Sequence, residues 1–244
     1  MNQIQETFIK EEIAMTIGKD TIMDRAAESY KVMLAYQDWV ENMFRTLDNK
    51  LALGENGKKL LPMRKNKLFV TPNDYVLYNY ALYNGQELYN TWLPPWVGRF
   101  YVDVDCLRKD DTPIDDYPAK QLQYIAFVWT WLGAKDEYVA DTEEPECWIG
   151  VVEPKPNDPE IRVYDVAASI WASIRIEKAT KKESEGWILG RFYPNNFSSE
   201  LNGFWQVRRF PLKDVSSIYQ TYQLIVNPLT EKLAQLEAGA SIEG

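Results

Sequence analysis

Two acids, Asp103 and Asp105, end the run Arg99-Phe100-Tyr101-Val102-Asp103-Val104-Asp105. On a strand, residues two apart face the same way, so this spacing would present both carboxylates together, as Mg²⁺ sites for nucleotidyl transfer require. Glu153 or Asp165 would supply a third. A second constellation is Glu153-Pro154-Lys155, which follows the apolar run Trp148 to Val152 and has Asp141 upstream. In that order the acids can hold Mg²⁺ while the lysine steadies an attacking hydroxide. The plainer reading of both is acids exposed at a sheet rim, and Pro154 is awkward if its strand continues.

An apolar strand ending in Asp-x-Asp resembles the metal motif of the archaeo-eukaryotic primase-polymerases over a handful of residues. The resemblance implies Mg²⁺ at Asp103 and Asp105. That family's second motif carries a histidine beside the nucleotide, and this chain has no histidine at all. The Glu153-Pro154-Lys155 stretch has the order of a PD-(D/E)xK nuclease site, which implies metal-assisted hydrolysis there.

The missing histidine excludes Ser-His-Asp and Cys-His triads, histidine metal sites and haem on a proximal histidine. There is no G-x-x-x-x-G-K-[ST] loop, no G-x-G-x-x-G and no G-x-S-x-G. Two cysteines, Cys106 and Cys147, lie far apart beside strand-like residues and read as buried reduced thiols. A net charge of −9 argues against wrapping nucleic acid over a wide basic face and leaves only local contact to it. The residues Lys58, Lys59, Arg64, Lys65 and Lys67 form the densest basic stretch, fit either to grip phosphate or an acidic neighbour or to be a solvated loop. No apolar window reaches the roughly 20 residues of a membrane span, and Met1 to Lys10 has no signal-peptide core. The expected location is the cytoplasm or a virion.

The elements that must position these residues read as an α+β fold, an antiparallel meander packed with helices and flanked by long terminal amphipathic helices. Apolar residues recur at Met23, Ala26, Tyr30, Met33, Val40, Phe44, Leu47 and Leu51, in alternating steps of three and four interrupted at Gln37. They predict one long helix stopped by Gly54, either a spine packed on another subunit or a cover for the chain's own sheet. A strand is expected at Leu68 to Val70, a helix from Thr71 to Leu93, a strand from Phe100 to Leu107, and a helix opening at Pro118 with Leu122, Ile125, Trp129 and Leu132 buried. Cys147 to Val152 reads as a buried strand. The alternation from Val166 to Ile176 predicts a strand, with a helix over 163–173 as its competitor. With Trp187 to Tyr193 and Phe204 to Phe210 it would complete the meander. A last helix should run from about Asp214, kinked at Pro228, with Val215, Ile218, Tyr222, Ile225, Leu229, Leu233 and Leu236 on one stripe. The regions are then 1–54, 55–212 and 213–244, interwoven as one domain.

With 9 Trp, 15 Tyr and 9 Phe, the chain carries more large aromatic surface than a core readily absorbs. Trp92, Trp96, Tyr101, Trp187 and Trp205 are therefore expected at contacts with other protein subunits, together with the basic loop. The reading that follows is a non-enzymatic component of a homo- or hetero-oligomeric assembly, without catalytic, cofactor or metal residues. By analogy it would be a connector, ring or baseplate subunit of a phage or virus particle. A Mg²⁺-dependent enzyme using Asp103 and Asp105 is the alternative, and an acidic inhibitor mimicking nucleic acid is another.

Overall fold

A computed structural model describes residues 22–54, 58–63, 96–103, 105, 113–131, 144–167, 174, 181–182, 186–192 and 201–239. The chain divides into two compact units, 1–42 and 43–244. The first boundary thus falls inside a helix rather than at Gly54, and the C-terminal helices belong to the unit that holds the sheet.

Helix α1 spans Ile22–Leu53. Its residues are mostly good helix formers, with Asp24 in the first turn and Lys50 in the last, where each complements the helix dipole. Gly54 takes φ 66°, a left-handed conformation that ends the helix with little strain. The predicted stop is the observed one. The predicted stripe is buried from Val40 through Phe44, Leu47 and Leu51, whereas Ala26 and Tyr30 are exposed.

Seven strands form one antiparallel sheet: β1 (Leu60–Pro62), β2 (Trp96–Asp103), β3 (Ile125–Trp131), β4 (Glu146–Pro156), β5 (Lys181–Lys182), β6 (Trp187–Arg191) and β7 (Leu201–Pro211). Their order is β1-β2-β3-β4-β7-β6-β5, so two meanders meet where β4 and β7 pair along their whole length, from Glu146↔Pro211 to Pro156↔Leu201. Both faces of the middle strands are covered, which is why β3 is buried at every residue.

That burial explains the first correction. The helix expected from Pro118 is instead a short 3-10 turn, Ala119–Gln121, followed by β3. A continuous apolar run has no period to read, and its aromatic and β-branched residues favour a strand covered on both sides. The second correction runs the other way. Residues 163–167 are helical, so the competing helix and not the alternating strand is adopted there, and β5 takes the third place in the meander. Small residues at alternate positions satisfy either period. The strand expected at 68–70, the helix at 71–93 and Cys106 lie outside the described residues.

One face of the sheet is aromatic. Phe100, Phe127, Trp129, Trp148 and Trp205 point into a core closed by Tyr117, Ala119, Leu122, Val163, Val166 and Ala167. Phe127 and Trp129 stack at 4.3 Å, and Phe100 meets Trp129 edge-on at 6.0 Å. Each large ring has a glycine directly opposite on the next strand: Gly98 faces Trp129, Gly150 faces Phe127 and Gly190 faces Trp205. A Cβ on any of the three would run into the facing ring.

The other face carries Arg99, Tyr101, Asp103, Thr130 and Gln206, all buried. Tyr101 and Arg99 both bond Asp48 of α1, and Lys232 of the C-terminal helix lies over the Trp187 ring. That C-terminal segment runs from α2 (Ile218–Thr221) through a π turn (Tyr222–Val226) into α3 (Asn227–Glu237). Pro228 accounts for the π turn, because its ring would clash with the carbonyl four residues back and it has no N–H to donate. The wider turn lets the Asn227 N–H reach the Tyr222 carbonyl. The stripe holds at Val215, Ile225, Leu229, Leu233 and Leu236, while Ile218 points outward at 65 % exposure.

Candidate functional site

At one end of the polar face the sheet gathers charged residues from several elements. β2 contributes Asp103 as its last residue, β4 contributes Glu153 and Lys155, α3 contributes Glu237, and the segment before β1 contributes Lys58. Tyr124, just before β3, donates its hydroxyl to the Leu236 carbonyl at 3.2 Å and accepts from Gln123. Leu60, Tyr101, Asp103, Gln123, Tyr124, Ala126, Leu233 and Glu237 line a shallow recess there, partly open to solvent.

Lys58 organises this corner. Its Nζ lies 2.9 Å from Asp103 Oδ2 and 2.6 Å from Glu237 Oε2. The bonds to the two acids raise its pKa above the ordinary lysine value, Glu237 contributing most, against a smaller opposing effect of burial. The ammonium is thereby held charged between two carboxylates, where a cation would otherwise sit. Asp103 Oδ1 is engaged as well, accepting the backbone N–H of Asp105 at 2.9 Å.

This geometry removes the paired-carboxylate metal site. The side-chain oxygen of Asp103 turns the backbone, and β2 ends there. Strand alternation therefore stops before Asp105, which is exposed. Asp165 accepts the Arg162 N–H at the start of the 163–167 helix. Glu153 pairs with Lys155 at 3.2 Å on a strand that continues through Pro154, opposite Gly203. Gly203 has φ 140° and a backbone too close to the Glu153 carbonyl for any Cβ. Among the described residues no three acidic, Cys or His side chains converge to hold a metal ion. Asp141 lies outside them.

The expected contact residues divide. Tyr101, Trp187 and Trp205 are buried inside the chain, so their area is used by its own core and not by an edge. Lys58 is tied into the corner just described. Lys59 is exposed. Trp92, Arg64, Lys65 and Lys67 lie outside the described residues, as does the side chain of Trp96. Cys147 is buried and free as expected, its thiol pushed well up by burial. No family model, curated protein or solved structure matches the chain.

Glu237 and Asp48 were not anticipated from the sequence. Arg99 could have signalled Asp48, because a charged residue inside an apolar strand demands a buried partner. Nothing local to Glu237 marks it, since Lys58 lies far away in sequence. Burial raises the Asp48 carboxyl above its usual range, against the opposing pull of Arg99 and of the Tyr101 hydroxyl. Burial likewise raises Tyr101. This trio joins α1 to β2, and it is enclosed: Arg99 is 5 % exposed and Tyr101 fully buried.

Among the described residues no helix is long and apolar enough to cross a membrane.

Proposed function

We propose that this chain is a non-enzymatic structural or interaction subunit of a multi-protein assembly. The observation that carries the reading is the outer part of α1. There Tyr30, Val32 and Leu34 are 44 %, 64 % and 41 % exposed, on a helix whose remaining turns are buried in the sheet-bearing unit. Grouped apolar side chains on a projecting helix suit a contact with another protein better than contact with water.

Two further features support it. The acids best placed for chemistry are occupied, Asp103 by Lys58 and by the Asp105 N–H, and Glu153 by Lys155. The recess beside them is shallow and open, unlike the enclosed, largely apolar cleft of most small-molecule sites. A connector, ring or baseplate subunit of a phage or virus particle is the concrete form we propose, by analogy with the way such particles are built.

The test is the mass of the native particle. Gradient sedimentation of a gentle lysate from the source cells, followed with an antibody to this chain, should place it in a species well above the 28.4 kDa monomer. Sedimentation at the monomer mass under all such conditions defeats the reading.

A further inference from the structure

The alternating steps of three and four along α1 are a heptad repeat, and the repeat continues past the point where this chain stops covering it. Assigning Met23 to position a places Tyr30, Gln37, Phe44 and Leu51 at a, and Ala26, Met33, Val40 and Leu47 at d. From Val40 onward the seam is buried. Before it, the described side chains Asp24 to Ala35 are all exposed, Ala26 and Tyr30 of the seam among them. One continuous seam thus has an inner half packed and an outer half open.

The flanking positions say what fits the open half. In the inner half, e and g are Asp48 and Lys50, which bond Arg99 and lie over the Tyr222 ring. In the outer half, the e positions are Ala27, Leu34 and Glu41, and the g positions are Ser29 and Tyr36. The charges Asp24, Arg25, Glu28, Lys31 and Asp38 sit at b, c and f, away from any seam.

A parallel second copy of this helix would set Ser29 against Leu34 and Tyr36 against Glu41, so no like charges oppose each other. It would also bring Gln37 opposite Gln37. A single polar a-position of that kind fixes register and chain direction in parallel bundles. With Leu34 and Ala27 added to a and d, the apolar face is about three positions in seven wide. That width suits a bundle of helices better than a two-stranded seam.

We infer that residues 22–42 form a parallel homomeric bundle, in which copies of this chain bury the open half of the heptad seam against one another. The inference rests on the assembly reading above and names the partner as the chain itself. An isolated helix of this length is marginal in water without packing, and the bundle supplies that packing.

Light scattering coupled to size exclusion on the purified full chain tests it. The wild type should elute as a whole multiple of 28.4 kDa that dissociates on dilution. Tyr30→Glu and Leu34→Glu, both at exposed positions, should each shift the particle to the monomer mass while the thermal unfolding of the sheet-bearing unit is retained. Val32→Glu, exposed but at position c, should leave the mass of the wild type. A monomeric wild type overturns the inference, whether residues 1–21 cover the seam or a different protein does. So does a multimer that Tyr30→Glu and Leu34→Glu leave intact, or one that Val32→Glu breaks equally. If the purified chain is monomeric but still sediments in a large native particle, the homomeric bundle fails and the assembly reading survives.

Discussion

The two faces of the sheet are both buried, but they are held by different physics. On the aromatic face, rings from β2, β3, β4 and β7 fill space that glycines on the facing strands leave open, and attraction there follows from shape and apolar area. On the polar face, helices close over Arg99, Asp103 and Gln206, and charges must meet partners before the face can close. The aromatic face tolerates no added volume. The polar face tolerates no lost partner. A chain that joins its long helix to its sheet through Asp48, Arg99 and Tyr101 gains a defined orientation for α1 over β2, because the bidirectional bonds fit only one placement.

The largest effect should come from breaking the buried pair. Asp48→Ala leaves the Arg99 guanidinium without its carboxylate in a site with little access to water, and the expected loss is about 3 kcal/mol in denaturant unfolding. Asp48→Asn keeps an oxygen for Arg99 and Tyr101 and should cost about 1 kcal/mol or less near neutral pH. The pH dependence has a defined sign. Burial raises the Asp48 carboxyl, so the folded state holds that proton more tightly than the unfolded state does. Its contribution is full below the unfolded carboxylate value of about 4 and falls as pH rises towards the folded value. Asp48→Asn should therefore gain on the wild type as pH is raised from about 3 to 7. A gap that moves the other way would show that Arg99, not burial, dominates the site.

The aromatic face should respond to volume instead. Gly98→Ala places a methyl against the five-membered ring of Trp129, and overpacking of this kind costs about 2 kcal/mol. In a Trp129→Phe background that ring is gone, so the same substitution should cost less than half as much, read as coupling in a double-mutant cycle. Equal costs in the two backgrounds would mean that the glycine serves backbone freedom and not the ring.

This contrast also shows what could be read in advance. The paired strands around Cys147 to Val152, Trp187 to Arg191 and Phe204 to Phe210 were legible because apolar and aromatic residues are bounded by turns. The stop at Gly54 was legible from a glycine following a periodic run. β3 was not, because a strand buried on both faces loses the alternation that distinguishes it from a helix. The charged corner was hidden for another reason. Lys58, Asp103 and Glu237 are brought together only by the sheet order and by the placement of α3, and no local spacing encodes either. Aromatic abundance misled at Tyr101, Trp187 and Trp205 because the facing glycines and the second covering layer absorb rings that composition alone would send to the surface.

The smallest effect should lie at that corner, and it separates an edge of the polar face from its centre. Lys58 pairs with two acids, yet its side chain is 22 % exposed and its partners are similarly wetted. Lys58→Met should cost only about 1 kcal/mol, because water and salt can replace much of what the ammonium supplied. The raised lysine holds its proton more tightly folded than unfolded, so its contribution is full below the unfolded value of about 10.4 and is lost as pH climbs beyond it. The gap between wild type and Lys58→Met should thus close in strongly alkaline solution. It should also narrow in roughly 1 M salt, where screening acts over only about 3 Å, whereas the Asp48→Ala gap should hardly change under the same salt. Equal salt sensitivity at the two sites would place Asp48 and Arg99 in contact with solvent and erase the distinction between the centre of this face and its rim.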